Sequence, residues 1–264
     1  MSGTRSAHPA RVYDYWIGGK DHFAVDRQVG EAVAAVTPWV ATDARANRAF
    51  LGRAVRHLAR LGVDQFLEIG AGLPAPRNVH EAAHEVNPRA RVVYVDRDPV
   101  VLAHGRALLA TDDRVVVVAG DARHPESILG DPAVRAHLDL GRPVAALFVA
   151  VLHFITDSED PGRIVAGFRD AMVPGSYVVI SHVTVDGDPE RAAMVRQAAD
   201  VYRNAAAPFT PRTQQQVREL FDGFTLLSPG PVPVQQWHSQ RRGRAAAGSM
   251  LGGVGRLATP DRTA

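Results

Sequence analysis

Apolar positions alternate along most of the chain between short unbroken runs and stripes of helical spacing. Gln65-Phe66-Leu67-Glu68-Ile69, Arg91-Val92-Val93-Tyr94-Val95, Val115 to Val118, Val144 to Val151 and Tyr177 to Ile180 are the runs. They are short and rich in β-branched residues, the pattern of strands buried on both faces. Leu51, Ala54, Val55, Leu58 and Leu61 form one buried stripe of a helix expected over residues 44–61, with Gly62 as its cap. Asn78, with Glu81 three residues later, reads as the capping box of a helix reaching Val86. Asp98 and Pro99 open a helix to Leu109, and further helices are expected over residues 161–172 and 189–203. Strand and helix in turn predict a doubly wound parallel sheet, which binds ligands beyond the carboxyl ends of its strands. Phe224 to Leu227 and Ser249 to Leu257 read as two further strands, with the Arg/Ala/Gly-rich segment 238–248 as a loop between them.

The opening of the chain departs from this rhythm. Tyr13, Asp14, Tyr15, Trp16, Gly18, Gly19, Lys20, Asp21, His22 and Phe23 crowd aromatic, charged and glycine residues together. A helix from about Asp26 to Val36 follows and ends before Pro38. The crowded residues fit none of the sheet's core pattern. Residues 1–43 are therefore expected to form a helical lid on a catalytic domain of residues 44–264. Tyr13 and Tyr15 would pack the pocket, with Lys20 near a carboxylate. The plainer alternative is a helix docked on the sheet edge.

Composition narrows the chemistry. At 264 residues and 46% hydrophobic, the chain suits one large α/β domain with extra helices. It has no cysteine, which excludes disulfides, thiolate metal sites and cysteine nucleophiles. No metal site is expected. The sequence pI is about 9.3, yet the net charge is only +2. Lys20 is the one lysine among 30 basic residues, and little titrates between neutrality and pH 9. The high pI is thus weak evidence for a nucleic-acid partner, and none is expected. No run of about 18 uncharged apolar residues is present, and Met1 to Pro9 is too polar for a secretory signal. A cytoplasmic protein is expected.

Four motifs fall at successive strand ends. In Glu68-Ile69-Gly70-Ala71-Gly72 the glycines allow a tight turn and close ligand approach, and Glu68 offers a carboxylate to a ligand's ammonium. A plain strand-to-helix turn would also use two glycines. Asp96 closes the second strand 24 residues beyond Gly72, where an acid accepts ribose hydroxyls. Gly120-Asp121-Ala122 closes the third, where an aspartate suits the exocyclic amine of adenine. Ala150-Val151-Leu152-His153-Phe154 ends the fourth, at the reacting end of such a ligand. His153 is a candidate general base, with His22 and His182 in reserve. A histidine that merely packs the pocket fits equally.

This succession resembles the class I S-adenosylmethionine (SAM) dependent methyltransferases. The whole chain resembles an actinobacterial SAM methyltransferase family long catalogued as a domain of unknown function. The stretches that carry the likeness include Arg11-Val12-Tyr13-Asp14-Tyr15 through Gly18-Gly19-Lys20-Asp21, Gly72-Leu73-Pro74, Tyr94-Val95-Asp96-Arg97-Asp98-Pro99 and Gly252-Gly253-Val254-Gly255-Arg256. Together they span nearly all of residues 9–257. The resemblance implies a Rossmann-like sheet of seven strands, the last antiparallel, with an N-terminal helical extension. It implies SAM as cofactor, and the residues expected to hold it are Glu68, Gly70, Ala71, Gly72, Asp96, Arg97, Asp121, Ala122, Ala150 and Val151, with Tyr13, Tyr15 and Lys20 from the opening segment. Leu73 to Arg77 departs from better-known methyltransferases by lengthening the glycine loop with two prolines. The acceptor is not implied. C5-cytosine methylation needs a cysteine, and a Lys-Asp-Lys-Glu tetrad needs a second lysine. Val151-Leu152-His153-Phe154 replaces the Asn/Asp-Pro-Pro-Tyr motif of amino-group methylation. A small-molecule acceptor is the leading expectation. A non-catalytic SAM-binding regulator and an NAD(P)-dependent oxidoreductase, for which Ala75 would supply the third small residue, are the alternatives.

Overall fold

The computed structural model describes residues 6–203, 207–239 and 248–258. The expected runs pair side by side as β1 (Gln65–Ile69), β2 (Arg91–Asp96), β3 (Val115–Ala119), β4 (Ala145–Val149) and β5 (Tyr177–Val183). All pairings among them are parallel, in the order β3-β2-β1-β4-β5. The reversal of order falls between β1 and β4, which opens the ligand crevice there. β5 runs to Val183, beyond the apolar run, because it pairs antiparallel with β8 (Met250–Arg256) as far as Val183 opposite Met250.

The sheet has eight strands where seven were expected. β6 (Thr225–Leu226) and β7 (Val232–Pro233) both pair antiparallel with β8, at opposite ends of it. The added strand is two residues long and ends on a proline, too short to leave a periodic signal. The expected loop over residues 238–248 falls almost wholly outside the described residues.

Alternate side chains of each parallel strand enter two cores. Phe66, Val92, Tyr94, Leu147 and Val179 face one side, with Phe50, Leu51, Ala54, Val55 and Leu58 of α3 (Val40–Arg60). Leu67, Val93, Val95, Ala146, Phe148 and Ile180 face the other. The helical stripe is thus buried except for Leu61, which is 53% exposed because the helix has already ended. Gly62 lies one position past the cap, at φ +94°, and its N–H and that of Val63 return to Ala59 and Leu58. Asn78 N donates to Glu81 at 2.9 Å, as the capping box requires, at the head of α4 (Val79–His84). Asp98 accepts from Val100 N at the head of α5 (Pro99–Leu108).

The second side is covered by α6 (Pro125–Gly130), α7 (Pro132–His137) and α8 (Pro161–Arg169). The first two were not foreseen; each is six residues long, started by proline and too short for a stripe. α9 (Pro189–Tyr202) and the unforeseen α10 (Gln214–Glu219) follow β5.

The chain opens with α1 (Pro9–Ile17) and α2 (Ala24–Val36). Pro9 and the His8 side chain start α1, and Gly18 at φ +88° stops it. Val12, Val33, Ala198 and Tyr202 make a third small core that joins α1 and α2 to α9. α3 begins at Val40, so the expected division between residues 43 and 44 falls inside its first turn.

Candidate functional site

A cavity opens at the carboxyl ends of β1 to β4, with about 1020 Å³ of free space, part of it open to solvent. Glu68, Gly70, Ala71 and Gly72 line it from β1, Asp96 and Arg97 from β2, and Asp121 and Ala122 from β3. Ala150 and Val151 line it from the exit of β4, and Tyr13 from α1. The four strand-end motifs therefore meet in one place.

Backbone tethers shape the glycine loop. Gly70 N and Ala71 N donate to Val95 O, at 2.8 and 3.0 Å, and Gly72 N donates to Asp96 Oδ2 at 2.9 Å. Gly70 sits at φ +72°, and a Cβ there would lie 2.3 Å from Val151 Cγ2. Only glycine allows β1's exit to pass so close to β4's exit. Asp96 Oδ1 accepts from Asp98 N at 2.9 Å, so one carboxylate joins the loop to the head of α5. Burial raises the Asp96 pKa, against the backbone donors that lower it.

The polar groups left without partners define the ligand's chemistry. Glu68 is 5% exposed, and its carboxylate takes part in no hydrogen bond among the described residues. Desolvation pushes its pKa up to about 7. Beside it in the lining, Asn47 Oδ1 and Arg48 Nε are buried with no hydrogen-bond partner. Two acceptors and one cationic donor, unpaired in a single cavity, call for a ligand carrying both an ammonium and a carboxylate. SAM carries both groups at its amino-acid end, and Asp96 and Asp121 line the same cavity. The residues present fit the group. Asn47 and Arg48 escaped the reading of the sequence, as did His8 and Pro9. A signal for Asn47 existed: it is a polar residue four positions before the stripe's Leu51, and 1% exposed.

Asp121 is held between two arginines, Arg123 at 3.1 Å and Arg97 at 3.3 Å. The Arg123 hydrogen bonds and both positive charges outweigh burial and lower its pKa. The carboxylate stays ionised and ready to accept.

The opening segment divides. Tyr13 lines the cavity, its hydroxyl fixed by donation to Ala44 O at 2.8 Å and acceptance from Asn47 Nδ2 at 3.1 Å. Tyr15 lies outside the lining and packs edge-on against His22, ring centres 5.3 Å apart. Lys20 is exposed, lies outside the lining and forms no ion pair among the described residues. The helical geometry of α1 explains this: Tyr13 faces α3, and Tyr15, two positions on, turns toward α2.

His153 follows β4 in a single helical turn, Leu152–Phe154, and is 4% exposed. It lines a second cavity, which shares Pro9, Tyr13, Ala150 and Phe154 with the first. Its Nδ1 is buried without a partner. Desolvation, then the nearby His182 and Arg212, hold its pKa well below the usual histidine range, so the ring is neutral. His182 is fully buried, with a pKa of about 3 and a 2.9 Å contact to Arg212. Arg212 also donates to Leu152 O and Ile155 O, clamping the turn that presents His153. His22 lies 2.9 Å from Asp14, and neither reserve histidine lines either cavity.

A Rossmann-like sheet with a cavity at its switch point, lined by acidic strand ends and a glycine loop, is the architecture of the class I SAM-binding fold. Comparison with known proteins agrees. The S-adenosyl methyltransferase family model matches residues 3–258. A DUF574-family protein of Streptomyces avermitilis is 40% identical, with a TM-score of 0.90 over 96% of this chain and 98% of that one. A Thermobifida fusca protein described as a candidate methyltransferase is 37% identical, with a TM-score of 0.90 over 98% and 97%. Human N-acetylserotonin methyltransferase, solved with SAM, shares the fold at 14% identity and a TM-score of 0.52, over 94% of this chain and 62% of that one. No curated protein matches. The chain belongs to the S-adenosyl methyltransferase family. It is a SAM-dependent methyltransferase, and the oxidoreductase alternative falls. No helix among the described residues is long and apolar enough to cross a membrane.

Proposed function

We propose that this methyltransferase binds SAM in the first cavity and methylates a small molecule in the cytoplasm, with residues 1–43 as the wall that closes the site. The observation that carries this reading is the unpaired trio of Glu68, Asn47 Oδ1 and Arg48 Nε. SAM supplies an electrophilic methyl on a sulfonium when bound. Glu68 and Asn47 take its ammonium and Arg48 its carboxylate. Asp96 accepts from the ribose hydroxyls, and Asp121 from the adenine amine beside Arg97 and Ala122. Gly70, Ala71 and Gly72 give the close backbone approach, while Ala150, Val151 and Tyr13 line the way to the acceptor. Tyr15 supports the wall from behind, and Lys20, exposed outside the lining, does not touch the ligand. His153 meets the acceptor and takes its proton. The rest of the catalysis is alignment and exclusion of water.

Both cavities are walled by Pro9 and Tyr13 of α1, which supports the closing role of the opening segment. Calorimetric titration tests the whole reading. SAM and S-adenosylhomocysteine should bind at low-micromolar concentration or tighter, and NAD(H) should not bind. NAD(H) binding without SAM binding would overturn it.

A further inference from the structure

The second cavity has about 630 Å³ of free space, part of it open to solvent. It adjoins the first through Ala150, Tyr13 and Phe154. Its walls carry the rings of Trp16, Trp39, Phe154, Tyr202 and Phe209, with the imidazole of His153 among them. Tyr202 and Phe209 stack with centres 5.2 Å apart, and His153 meets Phe209 edge-on at the same separation. Ring faces and edges of this kind bind flat apolar molecules.

Among the described lining residues the chamber offers no free charge. No arginine or lysine is among the described residues that line it, and Asp43 is the one carboxylate among them. Both oxygens of Asp43 are already engaged, by Gln235 Nε2 at 3.0 Å and Ser249 N at 2.8 Å. Most polar atoms of the lining are likewise spent. Trp16 Nε1 donates to Gly30 O, Trp39 Nε1 to Ser249 Oγ and Thr37 Oγ1 to Val33 O. The His153 ring and the Tyr202 hydroxyl alone have no hydrogen bond among the described lining residues. Buried polar groups are normally paired, so these two await a polar group of the occupant.

We propose that the second cavity is the acceptor site and takes an uncharged aromatic alcohol, of phenol or naphthol size, with its hydroxyl against His153 and Tyr202 for methylation at oxygen. This rests on SAM occupying the first cavity. An oxygen lone pair forms the new C–O bond as the sulfonium C–S bond breaks and its electron pair returns to sulfur. The hydroxyl proton passes to the His153 ring and on to water. The cationic donor becomes a neutral thioether, one proton is released, and no other reactant is needed. A low-pKa imidazole cannot hold that proton for long, which suits a weakly acidic hydroxyl better than an aliphatic one.

Calorimetry on the full chain tests this, with S-adenosylhomocysteine present and 2-naphthol, naphthalene and 2-naphthoate as probes. 2-Naphthol should bind, with naphthalene and 2-naphthoate about tenfold weaker or more, one for lack of the hydroxyl and the other for its charge. Ala198, on the cavity wall, supplies a steric control: Ala198→Phe should abolish naphthol binding while S-adenosylhomocysteine still binds. A second variant, His153→Phe, keeps a ring and removes the nitrogen, and naphthol should then lose its advantage over naphthalene. Naphthol failing to bind a protein that binds S-adenosylhomocysteine would overturn the proposal alone. So would naphthoate binding as tightly as naphthol, or an advantage that survives His153→Phe. Failure of S-adenosylhomocysteine itself to bind would overturn the reading of the first cavity instead.

Discussion

Arg11 on α1 and Asp98 at the head of α5 stand 87 residues apart, yet Arg11 Nη1 donates to Asp98 Oδ2 at 2.7 Å with both side chains buried. Arg11 Nε also donates to Asp26 of α2 at 3.0 Å. One guanidinium therefore ties the opening helices to the residue whose N–H holds Asp96. The wall of the site and its ribose-side carboxylate are parts of one buried network.

Breaking that network should be costly. Arg11→Met would leave two buried carboxylates without their guanidinium, and loss of one partner from a buried pair costs about 3–5 kcal/mol. Urea unfolding should show a loss of that order, with weaker SAM binding in the variant that remains folded. A loss below about 1 kcal/mol would show that the backbone donors to Asp26 and Asp98, with His8, suffice without Arg11.

The core sheet was readable because both faces of β1, β2, β4 and β5 are buried, and continuous apolar runs announce such strands. The motifs at their ends were readable for the same reason: once the strands are placed, Glu68, Asp96, Asp121 and Ala150 must converge. The opening segment was less legible. Arg11 looks like any surface arginine in the sequence, since its partners Asp26 and Asp98 are joined to it only by the fold. Tyr13 and Tyr15 look alike too, and only the helical turn of α1 sends one toward the cavity and the other toward His22. His153 sits at the expected strand end, but its neutral, enclosed surroundings come from Phe209 and Tyr202, far along the chain.

Asp96→Ala should weaken SAM binding by about 1.5–3 kcal/mol, the range for hydrogen bonds to a charged group. The change also frees Gly72 N and Asp98 N, so the glycine loop loosens along with the ribose contact. Unchanged affinity in a folded variant, read by calorimetry, would mean that the ribose lies elsewhere.

His153→Ala should slow methyl transfer by roughly 100-fold or more and leave SAM affinity almost unchanged. The pH profile discriminates further. Because burial, with His182 and Arg212 nearby, holds the pKa of His153 well below the usual histidine range, the ring is neutral where a free imidazole titrates. Its titration should leave no inflection in the rate near pH 6.5. Such an inflection in the wild type, absent from His153→Ala, would show a ring far more solvated than the cavity allows.

Glu68 gives the most direct test of where SAM binds. Its raised pKa of about 7, against an ordinary 4.5, means that the protonated form stabilises the ligand-free fold. That contribution is complete below about pH 4.5 and is lost as pH rises through about 7. A ligand ammonium reverses the balance by favouring the carboxylate. SAM affinity should therefore rise roughly fivefold from pH 6 to pH 7 as Glu68 ionises, with about half a proton released on binding at pH 7. Calorimetric titration of SAM in two buffers of different ionisation enthalpy, on wild type and Glu68→Gln, is the measurement. The account predicts proton release in the wild type, none in Glu68→Gln, and weaker binding in the variant. Equal affinity and equal proton release in the two proteins would contradict it.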